Sequence, residues 1–357
     1  MADQDIYRQL QERLDLYSVG FPATGSGVEI RILKKLFNEE DVALFLALPP
    51  QLETPGAVAG RLGRLEEEVA GKLEDMAQRG LLFRKAQGDS AKYGAIPFVH
   101  GLFEFQVKRM DTELAGFMEE YLEEGFKENM ARGAELFLRP IPVGKSIEVT
   151  RQVAAYEDAA EILRGQKRIV ITDCICRKAR ETVEKSCGGP LEACFMFGSM
   201  GQYYLDHDMG REIGLDEALK ILADCRDAGL VTQPATAQNP AGMCNCCGDC
   251  CGVLRSLNSF PRPAEMVLSN WFAVVDRELC TGCETCLDRC QMGAISLDDD
   301  GLAEINLDRC IGCGLCVTTC PVVALKLTAK PQEEHRIPPA TSLDQMLSLA
   351  RKRGIQI

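Results

Sequence analysis

The sequence predicts an α+β chain in three parts, and three observations carry that expectation. All eighteen cysteines lie between Cys174 and Cys320, so the stretch before Cys174 is a separate compositional unit. Within that stretch, helical spacing gives way to a short pair of strand-like segments. Near the other end, two matching cysteine runs flank a segment that alternates apolar and polar residues. At 357 residues the chain is long enough for two or three domains with cores of their own.

Residues 1–27 read as an N-terminal helical arm, with Ile6, Leu10, Leu14 and Tyr17 at helical spacing and Gly20-Phe21-Pro22 as the stop. The arm is expected to pack on another surface. Residues 28–97 give helices over Val28–Phe37, Glu39–Ala47, Thr54–Leu62 and Leu65–Arg79. Thr54 is a cap, Pro55 sits in the first turn, and Gly80 ends the last helix. Leu81–Lys85 and Ala91–Tyr93, joined by a Gly88-Asp89-Ser90 turn, form a strand pair. Helices closed by a strand pair resemble a winged helix.

A winged helix invites a nucleic-acid reading, which charge opposes. The helix that would enter a groove opens Arg64-Leu65-Glu66-Glu67-Glu68, placing carboxylates where phosphates would lie. Arg84, Lys85 and Lys92 on the wing are the local counter-argument. The whole chain carries a net charge of −13, which disfavours a phosphate backbone or an anionic bilayer as the main partner. The module is therefore read as a docking or dimerisation unit.

Residues 98–165 form a helical connector with short strands. Glu104–Arg132 is expected as one long helix closed by Gly133, with Glu119, Glu120, Glu123 and Glu124 on a solvated face. His100 is assigned a structural role, Ile147–Val149 a strand, and Glu157–Leu163 a short helix.

Residues 166–262 are the central cysteine-rich α/β part. The β-branched run from Arg168 to Thr172 is a buried strand, and strand alternation places Cys174 and Cys176 on one face. Cys187 and Cys194 follow in glycine- and proline-rich loops. Cys174, Cys176, Cys187 and Cys194 suit one iron–sulfur cube, with structural zinc or unligated core thiols as the alternatives. Helices are expected over Gly198–Met209 and over Asp216–Ala228, the second capped by Asp216 and stopped by Gly229. His207 is expected to be exposed. Cys225, alone on its helix, reads as a small core residue and is left unassigned.

The densest stretch is Cys244-Asn245-Cys246-Cys247-Gly248-Asp249-Cys250-Cys251. Cys244, Cys247 and Cys250 have the two-residue spacing that caps a cube, leaving Cys246 and Cys251 as a fourth ligand or a free thiol. Without metal, so many adjacent thiols would oxidise or mispair.

Residues 263–330 carry the run Cys280-Thr-Gly-Cys283-Glu-Thr-Cys286-Leu-Asp-Arg-Cys290 and the run Cys310-Ile-Gly-Cys313-Gly-Leu-Cys316-Val-Thr-Thr-Cys320-Pro321. Zinc sites space their cysteine pairs differently, and disulfides do not favour this crowding. Between the runs, Ala294–Asn306 alternates about an acidic, glycine-ended turn and reads as a hairpin. These motifs resemble the bacterial two-cluster ferredoxins. The resemblance implies a ferredoxin-like dicluster domain with one [4Fe-4S] cluster on Cys280, Cys283, Cys286 and Cys320, and a second on Cys310, Cys313, Cys316 and Cys290. Gln291 stands where that family has a proline after the fourth cysteine. Residues 331–357 are a tail with a helix from Thr341, reached through Pro338-Pro339 and read as packing on the chain's own body.

From about residue 140 to 330 the motifs are similar to a group of multicluster 4Fe-4S proteins of anaerobes. That resemblance implies a multicluster electron carrier, and the nine central cysteines other than Cys225 could hold two clusters beyond those of residues 263–330, up to four [4Fe-4S] clusters in all. The expected function is relay of single low-potential electrons between a donor and a partner oxidoreductase, as an electron-transfer protein or subunit. Asp298–Asp300 and Glu284 add negative charge near the two clusters expected in residues 263–330 and argue for low potential. Two alternatives stay open: a redox-sensing winged-helix regulator, and an iron–sulfur oxidoreductase reacting at the cysteine-dense loop. The implied partners are redox proteins, with self-association left open. No glycine fingerprint for a nicotinamide follows any strand. The charged N-terminal segment and the lack of a long apolar run predict a cytoplasmic chain.

Overall fold

A computed structural model describes residues 5–88, 90–131, 137–146 and 154–355. Helix α1 (Ile6–Asp15) starts at Asp5, whose carboxylate accepts the Tyr7 N–H at 3.0 Å. Its Leu10 and Leu14 are fully buried, so the arm packs on its own neighbours, α2 (Val28–Leu36) and α3 (Glu39–Ala47). Helix α4 (Pro55–Leu62) is capped by Thr54, and α5 (Glu66–Gln78) ends before Gly80 at φ 74°. The antiparallel pair β1 (Phe83–Gln87) and β2 (Ser90–Gly94) follows; Asp89 of its turn lies outside the described residues. Asp41 fastens this module: it closes a capping box with Asn38 and accepts two bonds from Arg79 at 2.7 and 2.9 Å.

The long helix expected over Glu104–Arg132 is broken. Asp111 accepts the Leu114 N–H at 2.8 Å and starts a new helix, α6 (Thr112–Tyr121), because its side chain offers the backbone a cap in place of the preceding turn. A π-turn over Leu122–Phe126 then widens the backbone ahead of α7 (Lys127–Ala131). The acidic face is not left to solvent either. Glu119 pairs with Arg180 and Arg255, Glu120 with Arg31, and Glu124 accepts from Gly25 and Ser26. Gly133 and Ile147–Val149 lie outside the described residues.

The central part opens with α8 (Ala159–Arg164), capped by Asp158. Then come β3 (Ile169–Asp173), α9 (Ile175–Thr182), β4 (Glu192–Phe197), α10 (Gly198–Asp206), β5 (Arg211–Ile213), α11 (Leu215–Asp227), β6 (Val231–Pro234) and β7 (Gly242–Cys246). The strands order as β5-β3-β4-β7-β6, with every pairing antiparallel. Along β3, Ile169 and Ile171 join one core and Val170 the other, the period-two pattern of a strand covered on both faces. Gly214 occupies the cap of α11, and Asp216 lies in its first turn. His207 is half-buried against the Tyr203 ring, not exposed, with centroids 4.1 Å apart.

Helices α12 (Gly252–Asn258) and α13 (Pro263–Met266) lead to the last unit. There β8 (Trp271–Val275) pairs with β11 (Leu325–Ala329), and β9 (Ile295–Leu297) with β10 (Ala303–Ile305), all antiparallel, with the short α14 (Thr285–Arg289) between. Helix α15 (Ser342–Lys352) folds back on the body: Leu349 is buried, and the Gln345 amide donates to the Phe137 carbonyl at 3.0 Å. Beyond it, Arg353 reaches Asp15 of α1 at 3.1 Å. Mixed helix and strand content makes the chain α+β. Among the described residues, no helix is long and apolar enough to cross a membrane.

Candidate metal centres

In the last unit the two cysteine runs interlock. Cys280, Cys283, Cys286 and Cys320 line one small cavity, and Cys290, Cys310, Cys313 and Cys316 line another. Each set takes three thiols from one run and one from the other. The Cys-x-Gly-Cys turns need glycine at two matching points. Gly282 has φ 66° and Gly312 φ 70°, and a Cβ there would lie 2.3 Å from the Gly301 carbonyl and 2.2 Å from that of Trp271. Backbone N–H groups of Ala303, Ala294, Ala273 and Ala324 point at the sulfurs of Cys280, Cys290, Cys310 and Cys320 over 3.2–3.5 Å. Such donors suit the negatively charged sulfurs of a bound cluster. Burial pushes the Cys313 thiol up to about 12, so a metal must displace its proton. Arg277 pairs with Asp298 and Asp300, so the acidic turn expected to lower the potential is partly neutralised.

The central cysteines form two further groups, and these differ from the sequence expectation. Cys174 does not lie on the strand with Cys176: β3 ends at Asp173, Cys174 caps α9, and Cys176 is in its first turn. The two thiols still meet, because the chain turns a corner there. Cys174 contacts Cys176 and Cys194; Cys194 contacts Cys244; Cys244 contacts Cys246; Cys246 contacts Cys251; and Cys251 returns to Cys176. Six thiols thus close a ring. Cross-strand pairing of Cys194 with Cys244 sets one side of it. The thiol contacts of Cys176 and Cys194 hold Cys174 well below its ordinary value.

Cys187, expected with Cys174, Cys176 and Cys194, instead meets Cys247 and Cys250. Their sulfurs all lie within 4.8 Å of one another. Cys244, expected to share a cube with Cys247 and Cys250, belongs to the ring. The adjacent pairs Cys246-Cys247 and Cys250-Cys251 explain the division: each sends one thiol to the ring and its neighbour to the triad. Cys225 packs in the same buried cluster as Cys247 and Cys250, where burial pushes its thiol up to about 12. Sequence spacing gave no signal for it.

Arg177 is fully buried beside the triad, with Nε 3.4 Å from the Cys187 sulfur and a terminal nitrogen 3.9 Å from that of Cys247. Burial alone would lower its pKa, but Cys174, Cys187 and Cys247 outweigh that and raise it. The Cys247 thiol is pushed down to about 5, chiefly by Cys250, with Arg177 adding. A buried cation against three thiols fits a site that holds thiolates.

The last unit docks on the central one through residues beside Cys290. Gln291 accepts the Gly248 N–H at 2.6 Å through its side-chain oxygen, and its carbonyl accepts from Asn258 at 2.8 Å. Arg289 donates to the carbonyls of Arg226 and Asp227 at the end of α11, next to Cys225.

A family model described as a 4Fe-4S dicluster domain matches residues 273–327, from β8 to β11. Over 34 residues the chain is 53% identical to a probable ferredoxin of Methanosarcina thermophila, a match covering 10% of this chain and 59% of that protein. The chain therefore spans about three fifths of that relative's length. Residues 273–327 form a ferredoxin-like dicluster domain, and the cofactor class of the chain is [4Fe-4S].

Proposed function

We propose that the chain is a multi-[4Fe-4S] electron-transfer protein that relays single low-potential electrons between a donor and a partner oxidoreductase. When bound, [4Fe-4S] clusters supply one-electron storage over a wide range of potentials. In this reading Cys280, Cys283, Cys286 and Cys320 hold the outermost cluster and Cys290, Cys310, Cys313 and Cys316 the next. Cys187, Cys247 and Cys250 contribute to a third, with Cys225 as the fourth thiol. Cys174, Cys176, Cys194, Cys244, Cys246 and Cys251 hold the innermost centre.

The observation that carries this reading is the continuity of the four groups. Gln291 and Gly248 link Cys290 to Cys247 through one hydrogen bond. Cys246-Cys247 and Cys250-Cys251 then link triad to ring through single peptide bonds. At the other end Cys283 is exposed, with Leu279 and Val323 exposed nearby in sequence to the outer ligands, and this surface meets the redox partner. The helices and ribbon of residues 28–97, read as a winged helix, serve docking or self-association rather than nucleic acid. Arg64 and Lys72 are engaged by Glu40 and Glu68, and Arg84 by Glu74, so these three cations are already paired within the module. The reducing cytoplasm suits so many free thiols.

Anaerobic iron and labile-sulfide analysis tests the proposal. About sixteen irons per chain are expected if four cube-sized centres fill, and about eight would confine metal to the ferredoxin-like unit. Colourless or zinc-loaded protein would end the relay reading.

A further inference from the structure

Behind the six-thiol ring lies a cavity of about 570 Å³. Its walls come from distant parts of the chain: Leu52 and Ile96 beside β2, Phe103 and Met118 of the connector, Met196 and Tyr204 of the central part, and Leu343 and Met346 of α15. All six ring cysteines are among its lining residues. The space runs far beyond them, so it is more than the room a metal centre needs. Protein interiors keep few voids much larger than a water molecule, and a chamber of this size falls in the range of small-molecule sites.

The lining selects its occupant. Apolar and aromatic side chains dominate, among them Phe103, Phe105, Phe126, Phe137 and Tyr204. Such rings favour a planar guest in offset or edge-to-face contact. Among the described residues that line it there is no lysine or arginine, while Glu104 and Asp173 are present. A phosphate or carboxylate would enter with no lysine or arginine among those residues to pair with it. Burial pushes the Glu104 carboxyl up to about 7 and the His100 imidazole down to about 4, so burial favours the neutral form of each. The His100 ring is held edge-on against Phe137, with centroids 4.2 Å apart.

We propose that this cavity is a binding chamber for an uncharged, ring-bearing, mainly apolar organic molecule that sits with one edge against the Cys174–Cys176–Cys251–Cys246–Cys244–Cys194 ring. The chamber goes beyond the relay: it gives the innermost centre a small-molecule neighbour. Helix α15 forms its outer wall, where Met346 is 36% and Leu343 64% exposed.

Equilibrium dialysis of the full-length, anaerobically iron-loaded protein at neutral pH decides the matter, with 2-naphthol as the neutral probe and 2-naphthoate as its anionic counterpart. Saturable binding of a single 2-naphthol per chain is expected, with 2-naphthoate at least about tenfold weaker. Met346→Trp, which fills the chamber from its half-open rim, should weaken 2-naphthol about tenfold with iron content unchanged. If Met346→Trp loses iron, Leu343→Trp at the more exposed rim position takes its place. Absence of saturable binding, equal binding of the two probes, or wild-type binding in the iron-replete rim variant overturns the chamber. Full iron with no 2-naphthol bound removes the chamber alone; retained 2-naphthol binding in a chain without central iron removes the relay alone.

Discussion

The side-chain oxygen of Gln291 accepts the backbone N–H of Gly248 at 2.6 Å, and the two residues directly follow Cys290 and Cys247. A proline at 291, as in the two-cluster ferredoxins, has no side-chain acceptor and could not make this contact. The departure from the ferredoxin pattern thus falls where the dicluster unit meets the central cysteines. A Cβ on Gly248 would lie 2.7 Å from the Gln291 carbonyl, so the close approach requires glycine at 248.

Gln291→Ala removes that link and leaves every thiol in place. Stopped-flow reduction by a low-potential donor should show the dicluster unit filling at its normal rate. Transfer onward to the central centres should slow about tenfold, equivalent to ~1.4 kcal/mol of barrier. Unchanged onward transfer would show that Gln291 does not lie on the route.

Cys187→Ser distinguishes the grouping found here from the one the spacing suggests. It should cost about four irons and leave the signals of the ring centre intact. Cys194→Ser should do the reverse. If both variants abolish the same electron paramagnetic resonance signal, the two thiols share one centre and the division between triad and ring is wrong.

Gly312→Ala places a methyl group 2.2 Å from the Trp271 carbonyl at a backbone φ of 70°. The turn between Cys310 and Cys313 cannot form around it. The expected outcome is loss of about four irons from the inner dicluster site, read by iron analysis. Gly63→Ala also sits at positive φ, but with no heavy atom within 4 Å, and should retain full iron.

Asp41→Ala should cost the N-terminal module about 3 kcal/mol, because it removes the Asp41 half of the capping box and leaves Arg79 without its principal partner. Chemical denaturation followed by far-ultraviolet circular dichroism measures this. A loss below about 0.5 kcal/mol would place the pair among surface ion pairs of no consequence.

Arg177→Gln removes the buried cation beside Cys187 and Cys247. The potential of the neighbouring centre should fall by roughly 60 mV, the one-electron equivalent of a tenfold shift in equilibrium. Potentiometric titration reads it, and Arg177→Lys should restore part of the difference. A variant at the wild-type potential would reduce Arg177 to a packing role.

Local signals carried the parts of the fold whose causes are local. Thr54-Pro55 and Gly80 mark helix ends, and the hairpin about Gly301 follows from alternation and a turn. What escaped the sequence depended on competition or on return of the chain. Asp111 breaks an otherwise continuous helical pattern because its carboxylate outbids the preceding turn for the Leu114 N–H. Cys174 follows a clean strand signal but already belongs to a helix cap. Which thiols converge is a long-range property: Cys187 reaches Cys247 across 60 residues, and Cys225 arrives from the face of α11. The alternation of Cys246-Cys247 and Cys250-Cys251 between two groups is visible only once both neighbours are in place.

Arg353 leaves a further consequence. By gripping Asp15 and the Ser18 carbonyl, it buckles the far end of the polypeptide to its opening helix just past the segment that walls the chamber. Displacing the arm would therefore pull on the residues that follow α15, the helix that lines the cavity.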